Sequence, residues 1–245
     1  MNREQISRIA HTHHPVKSPL DDESVRRLLD HGVAHGGARL LDLGCGTAEW
    51  LLRALSAHPQ VRAEGVDVSP EALEQASTAA RERGVQDRLV LHQQEAAGFT
   101  APHSFDLVLN VGSSHAFGGL LPTLEAAAAH LAPGGRVLIG DGFWEREPSP
   151  EAVEMLGEYA GLAATLDLVA AAGWTPVYGH VSTRRELDDY EWTCWGTLAG
   201  WALDHPDDPD SAQALATAAE RRAEWLHTYR ESFGFLTLVL RRTAG

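Results

Sequence analysis

The run Leu40-Leu41-Asp42-Leu43-Gly44-Cys45-Gly46-Thr47 restricts this chain more than any other feature. An apolar segment of strand length ends in an acid and two glycines spaced by one residue. A helical pattern over residues 48–57 follows at once. Without side chains at Gly44 and Gly46 the backbone turns tightly and a ligand can approach it closely. The alternation then repeats, with strands over 62–68, 89–93, 105–111 and 136–141 and helices over 70–83 and 120–131. Ser69 as N-cap and Pro70 at the first helical position open the helix over 70–83. Such alternation predicts an α/β fold built on a mostly parallel sheet with helices on both faces.

An amphipathic helix over 20–31 precedes this core, with Val25, Leu28 and Leu29 on one face. Beyond Trp144 the rhythm changes: helices are expected over 149–155 and 160–172, then a sixth strand over 177–183. A long helical stretch over 185–232 follows, broken by the acidic, proline-bearing loop His205–Asp210, before a last strand over 235–241. The expected organisation is an N-terminal arm and helix (1–36), a core (37–183), a helical insertion (184–232) and a final core strand (233–245). An insertion at the ligand end of such a sheet predicts a lid, and the histidine-rich arm is expected to fold over the cleft.

Composition narrows the partners. The formal charge of −14, with Lys17 as the single lysine, disfavours a phosphate backbone as substrate. Two distant cysteines, Cys45 and Cys194, form no disulfide framework and suit a reducing cytoplasm. No secretory h-region and no apolar run of spanning length is present, so no membrane partner is expected. Oligomeric state has no signature in the sequence.

The polar residues at strand ends fall into a pattern. Asp67, about twenty residues past the glycines, sits where an acid can accept from both hydroxyls of a ribose. Val68 follows it. Gln94-Glu95-Ala96 ends the third strand, where side-chain and backbone groups edge an adenine, and Asn110-Val111-Gly112 ends the fourth over the middle of the cleft. Glu49 takes the place of the third glycine of G-x-G-x-x-G, and a carboxylate there opposes a dinucleotide pyrophosphate.

Taken together, Leu-Asp-Leu-Gly-Cys-Gly-Thr, Gly65-Val66-Asp67-Val68-Ser69, Phe105-Asp106-Leu107-Val108 and Leu131-Ala132-Pro133-Gly134-Gly135-Arg136 resemble class I S-adenosylmethionine (SAM) dependent methyltransferases. The resemblance implies a Rossmann-like seven-stranded sheet whose last strand is antiparallel. It implies SAM as cofactor and S-adenosyl-L-homocysteine as product. Asp42, Gly44 and Gly46, with Cys45 between them, would hold the methionine part, Asp67 the ribose, and Glu95 with Ala96 the adenine. More loosely, His-Thr-His-His-Pro, Gly-Ser-Ser-His-Ala-Phe-Gly-Gly and Gly-Asp-Gly-Phe-Trp are similar to a bacterial subgroup of mostly uncharacterised members.

Methyl transfer needs alignment and water exclusion, and a base only where the nucleophile keeps its proton at neutral pH. His115, in the loop after the fourth strand, is the candidate base, with a structural histidine as the alternative. Asp141, after the fifth strand, either contacts substrate or accepts loop N–H groups. His14, Trp144, Tyr190 and Trp192 are the candidate substrate contacts. The aromatic series Tyr190, Trp192, Trp195, Trp201 either packs the insertion or turns one or two rings toward a ligand. His11, His13 and His14 lack the acids or cysteines of a metal site, so no metal is expected. The expected reaction is transfer of a methyl group to O or N of a small, partly apolar metabolite. The alternatives are a nucleic-acid or protein methyltransferase and a silent SAM-binding module.

Overall fold

A computed structural model describes residues 1–243. In chain order the elements are α1 (Arg3–Ala10), α2 (Asp22–Gly32), β1 (Arg39–Leu43), α3 (Glu49–Ala57), β2 (Arg62–Asp67), α4 (Pro70–Glu82), β3 (Leu89–Gln93) and β4 (Phe105–Val111). There follow α5 (Leu120–His130), β5 (Leu131–Trp144), α6 (Pro150–Leu156), α7 (Leu162–Ala171), β6 (Trp174–Val181), α8 (Arg184–Asp204), α9 (Ser211–Glu224) and β7 (Phe233–Arg242). The seven strands form one sheet in the order β3-β2-β1-β4-β5-β7-β6. β1 pairs in parallel with β2 and β4, β2 with β3 and β4 with β5, whereas β7 runs antiparallel to β6. The Rossmann-like sheet with its antiparallel last strand is the architecture expected from the sequence.

Strand order decides where a ligand can sit. β1 and β4 are neighbours although three connections separate them in sequence, so the winding reverses between them. At such a switch point the two crossovers leave toward opposite faces and a crevice opens beyond the carboxyl ends. Leu40, Leu41, Leu43, Leu107, Val108 and Leu109 are completely buried, as parallel strands covered on both faces must be.

The chain divides into two compact units. One holds Asp21–Asp141, Ala163–Val181 and the described residues from Leu236 on, the other Met1–Leu20, Gly142–Leu162 and Ser182–Phe235. The division departs from the expected organisation. α2 belongs with the sheet, packing on α3 and β6, and only residues 1–20 of the expected arm join the insertion. Residues 142–162, expected in the core, join it as well. Ala244 and Gly245, the end of the expected final segment, lie outside the described residues.

In the helical unit, α8 packs against both α1 and α9. α1 was not anticipated, although Asn2 and Gln5 form a capping box in which Asn2 Oδ1 accepts from the Gln5 N–H at 2.8 Å. Thr183 and Glu186 form a second box at the start of α8. α8 and α9 are joined by an ion pair in which Arg221 donates to both oxygens of Glu191 at 2.7 and 3.1 Å. Three residues earlier on α8, Asp188 accepts from Arg230 at 2.8 and 2.7 Å and from Trp225 Nε1 at 3.1 Å.

Removing one member of a buried pair strands the other. Arg221 keeps about a third of its side chain in water, which limits the penalty. Glu191→Gln is expected to cost roughly 2–3 kcal/mol in urea unfolding, and Glu191→Gln with Arg221→Met to recover at least half of that.

Candidate active site

The glycine turn after β1 is held by its neighbours rather than by its own side chains. The Val66 carbonyl on β2 accepts from the N–H groups of Gly44 and Cys45 at 2.8 and 2.9 Å. Asp67 Oδ2 accepts from the Gly46 N–H at 2.7 Å, and Oδ1 from the Ser69 N–H at 2.9 Å. From β4, Asn110 Nδ2 donates to the Leu43 carbonyl at 2.6 Å and to Ser113 Oγ at 2.9 Å. Gly44 has φ +87°, and a Cβ there would lie 2.5 Å from Ser113 Oγ, so no other residue fits. Gly46, at φ +52°, faces open space instead. Ala48 shares the left-handed region at φ 57°, a strain of about 1–2 kcal/mol that sequence reading missed.

Asp42 is the electrostatic anomaly of the turn. Its side chain is buried, and no hydrogen bond joins its carboxylate to another described residue. Burial, and then the negative Asp67, push its carboxyl up to about 8. Burial likewise lifts the Cys45 thiol well above its ordinary range, so Cys45 is a packed, unreactive thiol against Gly65. A buried acid facing a turn of open backbone calls for a cation to complete it.

The remaining expected cofactor residues lie in the same unit at the carboxyl ends of successive strands. Val68, directly after β2, is a large apolar residue left 60% exposed. Gln94 anchors its N–H on the Asp67 carbonyl at 3.1 Å, Glu95 is exposed, and Ala96 is buried in a single helical turn. Gly112 donates to the Gly140 carbonyl at 2.9 Å, tying the end of β4 to β5, and Val111 is half-buried. Asn110 is wholly buried and supports the turn through Nδ2, while its Oδ1 has no hydrogen-bond partner among the described residues. Glu49 differs from expectation in a similar way. Its carboxylate is buried and committed to Arg53 and Arg83, both at 2.8 Å, so its charge is already balanced.

His115 is exposed in the helical turn Ser114–Phe117 that follows β4, and Asp141 is half-buried on β5 with a partner of its own. The expected substrate contacts belong to the helical unit, where His14 and Tyr190 meet each other. Tyr190 meets two histidines: its hydroxyl lies 3.0 Å from His11 Nε2, and its ring meets that of His14 edge-on at 5.2 Å. His11 Nδ1 lies 2.8 Å from the Ser7 carbonyl and must donate to it, so Nε2 accepts from Tyr190. Burial pulls His11 down to about 4, which keeps the ring neutral. Trp192 is 55% exposed and packs on the buried Trp195 at 4.7 Å. Trp144 is buried beside Tyr159 and Phe233. Trp201 stacks on His205. The aromatic series is therefore mostly packing, with Trp192 the ring left in water. No metal-binding cluster occurs among the described residues.

Doubly wound strand order, a glycine turn at the switch point and acids ending β1 and β2 define a nucleotide-type cofactor site. Residues 41–137 match the family model for a methyltransferase domain. The chain is similar to the uncharacterized protein YjhP of Escherichia coli, 28% identical over 98% of this chain and 99% of that one. It is 33% identical to the 27-O-demethylrifamycin SV methyltransferase of Amycolatopsis mediterranei, over 54% of this chain and half of that one. A SAM-dependent methyltransferase of Geobacter sulfurreducens, solved in complex with S-adenosyl-L-homocysteine, superimposes with a TM-score of 0.88. It is 26% identical over 97% of this chain and 98% of that one. Residues 41–137 therefore form a methyltransferase domain, and the comparisons support a SAM-dependent methyltransferase.

The raised Asp42 carboxyl sets a linked test. The folded protein binds a proton there that the unfolded chain has released, so this group's stabilisation is full below about pH 4 and is lost as pH rises to about 8. Asp42→Asn removes the loss, and its thermal midpoint at pH 8 is expected to exceed that of the wild type. The same variant should bind S-adenosyl-L-homocysteine at least tenfold more weakly in calorimetry.

Proposed function

We propose that the enzyme transfers the methyl group of SAM to an oxygen or nitrogen of a small, partly apolar metabolite. The observation that carries the cofactor part is the buried Asp42 carboxyl, unmatched by any donor, beside a glycine turn whose Gly46 borders open space. SAM fits these residues: its ammonium supplies the cation that Asp42 lacks, and its ribose hydroxyls can use the lone pairs that Asp67 retains after two backbone bonds. The exposed Val68, with Gln94, Glu95 and Ala96, would cover the adenine. Gly44, Cys45, Asn110, Val111 and Gly112 shape the backbone around the methionine end. The bound cofactor supplies a methyl group already activated on a sulfonium.

The protein's work is then alignment, dehydration and proton management. His115 accepts the proton of the acceptor O–H or N–H on an imidazole nitrogen, and Asp141 orients the acceptor. His14, Trp144, Tyr190 and Trp192 contribute substrate contacts. The acidic chain and the rifamycin-modifying relative support a small-molecule acceptor over a nucleic acid, and a cytoplasmic location follows the free buried cysteines. No helix among the described residues is long and apolar enough to cross a membrane.

Incubating the protein with methyl-deuterated SAM and an extract of small metabolites tests this directly. A low-molecular-mass product heavier by the labelled methyl is expected, and label found only in RNA or protein would contradict the proposal. Asp67→Ala should weaken S-adenosyl-L-homocysteine binding by more than ~1 kcal/mol, because the ribose loses a charged acceptor. His115→Ala should leave that affinity intact and slow turnover at least tenfold; unaltered turnover would remove His115 as the base.

A further inference from the structure

One cavity in the helical unit carries carboxylates that the methyl-transfer reading leaves unused. It is open to solvent, measures about 520 Å³ and is lined by Trp144, Tyr159, Val153 and Pro148, with the exposed charged residues Glu145, Arg146, Glu147 and Glu158 at its walls. That size suits a metabolite of one or two rings. The aromatic wall is fixed in place. Trp144, Tyr159 and Phe233 meet edge to face with ring centres 5.8 to 6.1 Å apart, and a Cβ on Gly142 would come within 2.7 Å of Phe233 and 2.9 Å of Tyr159.

The charges around it do not cancel. Glu145 is taken by Arg184 at 2.7 Å, and Arg146 faces Glu231 at 3.8 Å. Neither Glu147 nor Glu158 forms an ion pair with any described residue. Two free carboxylates thus stand at a cavity walled by indole and phenol rings. An anion is repelled there, and a neutral apolar ligand gains nothing from the carboxylates. An organic cation gains from both, through attraction to the negative ring faces and to the carboxylates.

We propose that this cavity binds the ammonium head of an amine carrying an apolar body. The binding claim stands on the cavity alone and does not rest on the small-molecule reading above.

Calorimetry of the whole chain with 2-phenylethylammonium and with 2-phenylethanol separates charge from shape. The ammonium is expected to bind at least tenfold more tightly than the alcohol. Glu147→Gln with Glu158→Gln should abolish that preference, while its circular dichroism and thermal midpoint match the wild type. Equal affinity for amine and alcohol, no heat from either, or a preference that survives in the double variant overturns the proposal. A parallel titration of the wild type with S-adenosyl-L-homocysteine keeps the two readings apart. Its failure would strike the cofactor assignment and leave the amine result readable alone.

Discussion

Everything at the cofactor site depends on how two strands, β2 and β4, grip the glycine turn that ends β1. The Val66 carbonyl holds Gly44 and Cys45, the Asp67 carboxylate holds Gly46, and the Asn110 amide holds the Leu43 carbonyl and Ser113. Each bond is worth about 1 kcal/mol alone, but together they leave the turn a single conformation. Ser113 then sits so close to Gly44 that only glycine is tolerated there. The turn is thereby built before a ligand arrives, and binding has little ordering entropy to offset.

The same grip explains an unfavourable arrangement. Asp42 is carried into the interior at the end of β1 with no donor to meet it, and Asp67 stands near enough to disfavour its charge further. A hydrophobic residue would give a more stable apo-protein. Burying a carboxyl that titrates near neutrality instead couples cofactor binding to proton release, since a cationic ligand restores the ionised form. Stability is lost at the site where binding needs an unsatisfied charge.

The sheet was legible because its signals are local. Apolar runs of five to seven residues alternate with helical patterns, and Ser69-Pro70 marks the start of α4 by a cap that accepts the Ala72 N–H at 3.1 Å. The acids and glycines at strand ends were legible because strand order places them at one edge. Other features depend on contacts distant in sequence. Glu49 read as a free carboxylate, yet Arg83, thirty-four residues away, neutralises it. Asn110 read as a ligand contact, and its Nδ2 is committed to the Leu43 carbonyl of another strand while Oδ1 keeps no partner among the described residues. His11 read only as a poor metal ligand, yet it pairs with Tyr190, 179 residues further on. α1 was missed although its Asn-x-x-Gln box was visible, because its surroundings look polar and irregular.

The most direct measurement is titration calorimetry of the purified chain with SAM, S-adenosyl-L-homocysteine and NAD. Near pH 7.5, both sulfur nucleosides should bind with micromolar affinity, with heats that vary with the buffer as Asp42 releases its proton, while NAD gives no heat. Binding of NAD without either sulfur nucleoside would contradict the assignment of the glycine turn and of the two acids beside it.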